Sequence, residues 1–305
     1  MDKKALRGSL LLFLGAIVWG AAFAAQRAGM DHIGPFTFTG IRMLIGGLVM
    51  IPVSMIAGKK QTAPVSKRTQ MKGGLYCGLW LFAATSLQQV GLISTDAGKA
   101  GFITALYVVL VPLAGWLILR KNPGRAVWIG VLLAVAALYL LCMPPAGFRM
   151  EKGDLLVLGC AFCFTGQILC VDRYAPRVNG AALARDEFLV TGLLSMLAAV
   201  FTERITLDGV AEAAIPILYT GLFSSAVGYT LQIMGQKNVD PTLASLIMCL
   251  ESVFAVLFGA LLLGERMSGR EIAGCALMFT AVILAQLSPV LGKRRLRERK
   301  AGPAS

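Results

Sequence analysis

Glu251 is the residue whose type and setting could do chemistry, because it stands inside the apolar run "LIMCLESVFAVLFGALLL". A carboxylate buried in such a run costs several kcal/mol unless it is paired, hydrated or protonated. Either it serves a function, or it is a protonated acid hydrogen-bonded to a neighbouring helix. Other chemistries find little material. The single histidine, His32, completes no Ser-His-Asp set, and no P-loop or G-x-G-x-x-G occurs. Cys160 and Cys163 form one C-x-x-C without a second ligand pair, whereas zinc takes about four ligands. We therefore expect no metal, no cofactor and no enzymatic reaction. What remains is to hold a solute and to carry a proton.

The elements around Glu251 are as apolar as its own run. The chain has 305 residues, 57% hydrophobic and 15% charged, with a mean hydropathy of +0.73. Soluble domains carry roughly a quarter charged residues, so water cannot surround this chain. Runs of roughly 20 apolar residues lie near 9–26, 36–57, 73–92, 96–119, 126–143, 153–171, 183–202, 214–235, 241–263 and 270–288. These are ten expected transmembrane helices with short links. The first could imitate a signal peptide, but cleavable cores are shorter, about 7–15 residues. It reads as a retained helix.

The net charge of +13 does not imply nucleic acid, because the basic residues sort by side. Lys3, Lys4, Arg7, the group Lys59 to Lys72, Arg120 to Arg125, Arg173 to Arg185 and the tail from Lys293 all fall on one side. That bias puts both termini in the cytoplasm. The tail "KRRLRERK" is a topology anchor that could also touch anionic lipid.

The chain repeats itself. "LYCGLWLFAATSLQQVG" from Leu75 returns as "LYTGLFSSAVGYTLQIMG" from Leu218. A shift of about 144 residues pairs Asp96 with Asp240, Ala100 with Ala244, Gly115 with Gly259 and Gly130 with Gly274. One residue out of register, Gly8 pairs with Gly153 and Gly47 with Gly192. Five spans per copy is an odd number, so the second copy enters from the opposite face. The expected fold is all-α and integral to the membrane, with ten helices as two inverted five-helix repeats over 1–147 and 148–292. A basic cytoplasmic tail, 293–305, follows. Inverted repeats of this kind are a carrier architecture with the substrate near the midplane, although channels also use repeats.

"AIVWGAAFAAQRAG", "FTFTGIRMLIGGL" and "CLESVFAVLFGALLLGERMSGREIAGCALMFTAVILA" together resemble the EamA-type branch of the drug/metabolite transporter superfamily. The Trp19-Gly20 pair, Arg42 and the block from Glu251 through Gly264-Glu265 to Gly274 carry the resemblance, which covers nearly the whole chain. The resemblance implies an exporter of amino acids, other small metabolites or drugs. One departure stands out. Where the family often places proline after the ninth-span glutamate, this chain has Ser252, so the residue that would break the helix there is missing.

Depth along the spans, at about 1.5 Å per residue, selects the candidate cavity residues. Glu251 pairs with Tyr107 in the repeat, and the two are expected to face one midplane cavity, with Glu251 suited to proton coupling. Trp19, Trp80, Thr85, Phe162, Thr165, Ser224, Ser225 and Tyr229 lie near that depth, a set of aromatics and hydroxyls that suits a small amphipathic solute. Gln88 and Gln232 are expected near opposite faces, each satisfying helix-end groups. Arg42 could pair with Asp31 or Asp96 as an outer gate, and Lys99 is expected to snorkel. Gly74 and Gly78 read as a close helix contact.

The favoured reading is a secondary-active carrier that exports a small metabolite such as an amino acid by alternating access, multi-pass in the plasma (inner) membrane. Its expected partners are a small-molecule substrate, the bilayer and a coupling proton, with no nucleic acid. Broad drug efflux, a nucleotide-sugar or phosphate-ester carrier, and a channel are the alternatives. Phosphorylated substrates would want several deep cations, and only Arg42 and Lys99 approach that.

Overall fold

A computed structural model describes residues 3–59, 65–95, 97–118, 120, 122–143, 151–263 and 267–301. Its regular structure is helical, with no strand among the described residues. The first half comprises α1 (Lys3–Gly20), α2 (Ala22–Met30), α3 (Pro35–Lys59), α4 (Lys67–Gly91), α5 (Ala97–Ala105), α6 (Tyr107–Leu117) and α7 (Arg125–Cys142). The second comprises α8 (Lys152–Tyr174), a 3-10 turn (Ala175–Arg177), α9 (Gly180–Thr202), α10 (Leu207–Glu212) and α11 (Ala214–Tyr219). A π-helical segment (Thr220–Tyr229) then leads into α12 (Thr230–Gln236), α13 (Pro241–Met248), α14 (Leu250–Leu263) and α15 (Gly269–Ala301).

Among the described residues, seven stretches are long and apolar enough to cross a membrane: Pro35–Lys59, Lys99–Leu117, Arg125–Cys142, Lys152–Arg177, Ala214–Gln236, Pro241–Phe258 and Gly269–Leu287. Helices α1, α4 and α9 carry clustered charges, Lys3 to Arg7, Lys67 to Lys72 and Arg185 to Glu187, and run alongside them. Outward faces are apolar, with Leu14, Leu48, Leu132, Phe201 and Ile283 exposed. A lipid solvent accounts for that where water would not.

Among the described residues, three expected spans are not continuous helices. The first turns at Ala21 between α1 and α2, the fourth at Leu106 and the ninth at Cys249. At Leu106 and Cys249 the backbone closes shorter rings. The Leu106 N–H donates to the Ile103 carbonyl at 3.2 Å and the Ser252 N–H to the Cys249 carbonyl at 3.2 Å. The helix therefore breaks beside Glu251 with Ser252, not a proline, as the following residue. The π segment is the other irregularity. Such geometry is normally confined to a single bulge, frequently at functional sites, yet it runs for 10 residues here.

Close approaches hold the helices together, and they come in exchanged pairs. A Cβ on Gly8 would stand 2.8 Å from the Gly235 carbonyl oxygen, and one on Gly153 would stand 2.5 Å from that of Gly91. Likewise Gly192 faces the Leu44 side chain while Gly47 faces Leu189. The Arg42 carbonyl lies against Gly221, and the Glu187 carbonyl against Gly78. Each glycine lets two backbones meet where any side chain would separate them. Gly74 meets Asp186 in the same way, the close helix contact expected of it.

Two polar clasps lie away from the centre. Glu203, just past α9, takes the Phe36 and Thr37 amides at 2.7 and 2.8 Å and the Thr37 hydroxyl at 2.6 Å. A carboxylate on the unpaired amides of a helix N-terminus is favourable, so α9 caps α3. Lys99 does not snorkel. It is buried and pairs with Asp154 at 2.9 Å, because Asp154 at the start of α8 is buried beside it.

Candidate functional site

The helix breaks meet around one cavity of ≈ 60 Å³. Its charged groups are Arg42 on α3 and Glu251 in the first turn of α14. Trp19 on α1, Tyr107 at the start of α6, Phe164 on α8 and Tyr229 at the end of the π segment give it aromatic walls. Gln26, Gln88, Gln167 and Gln232 line it with amides, and Thr104 and Ser224 add hydroxyls.

Local geometry explains why these side chains converge. Gly20 lets α1 lie on α14, since a Cβ there would stand 2.9 Å from the Glu251 carbonyl and 2.5 Å from the Phe254 Cβ. The preceding Trp19 is thereby aimed across Gly228, and its indole N–H donates to the Ser224 carbonyl at 3.1 Å. Its ring meets Tyr229 edge-on at 5.0 Å, and Phe188 closes on Tyr229 from the other side at 6.0 Å. Tyr107 lies beside Glu251.

Arg42 is 2% exposed, and its Nε has no hydrogen-bond partner. Its guanidinium lies 5.9 Å from the Phe38 ring centroid. It forms no ion pair with Asp31 or any other carboxylate among the described residues, while Asp96 lies outside them. A buried guanidinium without a carboxylate is costly, and it faces a cavity in which a carboxylate could meet it.

Of the candidate cavity and gating residues named from the sequence, Trp19, Arg42, Tyr107, Ser224, Tyr229 and Glu251 line the cavity together. The others do not. Thr85 and Thr165 are buried but donate to the Leu81 and Ala161 carbonyls of their own helices. Ser225 is buried against Gly46. Trp80 and Phe162 are half-exposed on the outer surface, where Trp80 covers Gly166.

The glutamines behave differently from expectation. Gln88 and Gln232 line the same cavity rather than sitting at opposite faces. Gln88 donates to the Thr104 hydroxyl at 3.2 Å, Gln89 to Gln26 at 2.7 Å, and Gln232 to Gln167 at 3.0 Å. The expectation of separate faces assumed a uniform rise along each span, and the π segment that precedes Gln232 does not have it. Gln26, Gln88, Gln167 and Gln232 share one legible signal: each is an amide in an apolar run.

The cavity has room for only a few water molecules, at roughly 10–15 Å³ each. Small-molecule pockets take about 300–1,000 Å³. A solute of that size does not fit the cavity as it stands. The arrangement can hold a carboxylate at Arg42, a cation or a proton at Glu251, and an apolar body against Trp19 and Tyr229.

Comparison with known proteins gives a consistent picture. The profile of the EamA-like transporter family matches residues 6–143 and again 151–287. An uncharacterised transporter of Archaeoglobus fulgidus is 32% identical over 93% of this chain and 87% of its own. The S-adenosylmethionine/S-adenosylhomocysteine transporter of Chlamydia muridarum is 24% identical, over 88% of this chain and 90% of its own. The uncharacterised inner membrane transporter YedA of Escherichia coli K12 is also 24% identical, over 92% and 90%. One crystal structure superposes with a TM-score of 0.78 at 20% identity, over 95% of this chain and 98% of its own.

Proposed function

Because the chain belongs to the EamA-like transporter family, and is thus a multi-pass membrane transporter, we propose that it is a secondary-active carrier exporting a zwitterionic metabolite of amino-acid type. The observation that carries this reading is a buried, carboxylate-free Arg42 sharing one aromatic cavity with Glu251. A free amino acid brings a carboxylate for the guanidinium and an ammonium for the carboxyl. S-adenosylmethionine, transported by the Chlamydia muridarum relative, has both and adds a ring that could stack on Trp19. A phosphate ester fits less well, since Lys99, the other deep cation, is committed to Asp154.

Alternating access follows from symmetry. Ten spans, the seven apolar stretches with α1–α2, α4 and α9, form two inverted repeats over 1–147 and 148–292. The exchanged contacts Gly8–Gly235 with Gly153–Gly91, and Leu44–Gly192 with Leu189–Gly47, support this. An inverted pair can swap the roles of its halves at little cost, opening the cavity to one face and then to the other. The one-sided basic residues support cytoplasmic termini, with the tail 293–305 inside, in the plasma (inner) membrane.

The test is counterflow in proteoliposomes with labelled amino acids and S-adenosylmethionine. Saturable counterflow of at least one is expected. Linear, unsaturable flux would make the protein a channel. Overexpression in cells should enrich the same metabolite outside, and unchanged extracellular pools would count against export.

A further inference from the structure

Glu187 on α9 is fully buried yet lies outside the cavity lining. Its Oε1 accepts the Gln167 amide at 2.7 Å, and its Oε2 has no partner. No lysine or arginine pairs with it among the described residues. Cys77 on α4 and Tyr229 in the π segment are the nearby titratable groups, and neither is a cation. Helix α3 brings Arg42 to the cavity without an ion pair to Glu187, and the neighbouring Arg185 is bound to Asp186 at 2.6 Å. Nothing here neutralises a carboxylate, and the cost of an unpaired buried charge is far larger than that of a neutral acid.

Glu187 is also joined to the cavity. Gln232 on α12 donates to Gln167 at 3.0 Å, and Gln167 donates to Glu187, so two cavity-lining amides form a relay that ends on the carboxyl. The Gln232 Nε2 donates a second time, to Gln236 at 3.1 Å, and Gln236 donates to the Ile168 carbonyl. Every arrow in the relay delivers a hydrogen, and acceptors are left over: Glu187 Oε2 and Gln232 Oε1 are both buried and unpartnered. The cluster lacks a donor, and a proton is the smallest one.

We infer that Glu187 is a second proton-binding site, set one relay behind the Arg42–Glu251 cavity, and that its proton is exchanged during the transport cycle. The first part stands on the relay itself; the second rests on the carrier reading. A proton taken up by the carboxylate makes one neutral acid. Its release as the helices around the cavity part leaves a carboxylate that the entering water can solvate.

The test uses the full chain in liposomes and follows the infrared C=O stretch that only a protonated carboxyl group has, across a pH titration. Wild type and Glu251→Gln should share a component that Glu187→Gln lacks. A Glu187→Gln spectrum with every protonated-carboxyl component intact overturns the site. Gln167→Met keeps the acid and removes its donor, so the component should move; one that stays in place also counts against the site. For transport, labelled leucine and S-adenosylmethionine serve as probes. Glu187→Gln should keep counterflow while accumulation driven by a pH gradient falls roughly tenfold or more. Accumulation that survives in this variant overturns the coupling role. Wild type without counterflow of either probe would defeat the carrier reading, while the infrared result would still decide whether Glu187 holds a proton.

Discussion

The Cys249 thiol donates to the Ala105 carbonyl across 3.7 Å, and the two residues are 144 apart in sequence. They sit at two of the helix breaks, so α5–α6 and α13–α14 meet where both are interrupted. Tyr107 opens α6 and Glu251 follows one residue into α14. The same step of the repeat thus sets a phenol on one arm of the junction and a carboxyl on the other. Helices α6 and α14 begin at this point, and the positive ends of their dipoles favour negative charge. On the proposed carrier reading, a solute carboxylate would meet Arg42 in a field that suits it.

Glu251→Gln keeps the shape of the side chain and removes its ability to ionise. Counterflow should fall by roughly tenfold or more, while the melting temperature of the purified protein stays near wild type. Full transport in this variant would show that the carboxyl is only a helix-packing acid.

Arg42 should recognise the substrate carboxylate through its planar fork, which lysine cannot reproduce. A lost charge-assisted hydrogen bond of about 1.5–3 kcal/mol corresponds to a KM roughly 10- to 100-fold higher in Arg42→Gln. Arg42→Lys should recover only part of it. The discriminating measurement compares an amino acid with its decarboxylated amine. Wild type should prefer the acid, and Arg42→Gln should not; an unchanged preference would remove Arg42 from recognition.

Much of this was legible in the residues because it follows from solvent and repetition. The apolar runs announced helices in lipid, and the glycines repeated in "LYCGLW" and "LYTGLF" reappear as close contacts. Glu251 and Tyr107 could be paired by register alone. The helix breaks were not legible. Leu106 and Cys249 are ordinary apolar residues, and no glycine or proline stands at either turn. What distinguishes the two turns is their contact with each other across 144 residues, which is tertiary. Trp80 and Phe162 show the converse error. Depth alone selected them, but depth does not say which face of a helix looks inward, and both look out.

Gly20→Ala tests the α1–α14 contact. Its Cβ would meet the Phe254 Cβ at 2.5 Å and the Ala255 nitrogen at 2.9 Å. Backbone cannot yield as a side chain does, so overpacking of about 1–3 kcal/mol is expected. A lower melting temperature should come with weakened transport, because Trp19 is displaced too. A variant as stable as wild type would mean that α1 does not pack on α14 this closely.

Lys99 and Asp154 form a buried pair, and Asp154 also takes the Thr95 hydroxyl at 3.0 Å and the Glu151 amide at 2.7 Å. Removing one charge of such a pair leaves the other uncompensated, at about 3–5 kcal/mol. Lys99→Met should therefore destabilise the protein strongly. Asp154→Asn in the same chain removes the stranded charge while keeping an oxygen for Thr95, so the double variant should be more stable than Lys99→Met alone. The half-exposed Glu151, 3.8 Å from Lys99, is screened by solvent and should contribute little. Melting temperatures of the two single variants and the double variant measure the coupling. Additive losses would mean that the two side chains are solvated independently, and that Lys99 reaches the headgroups after all.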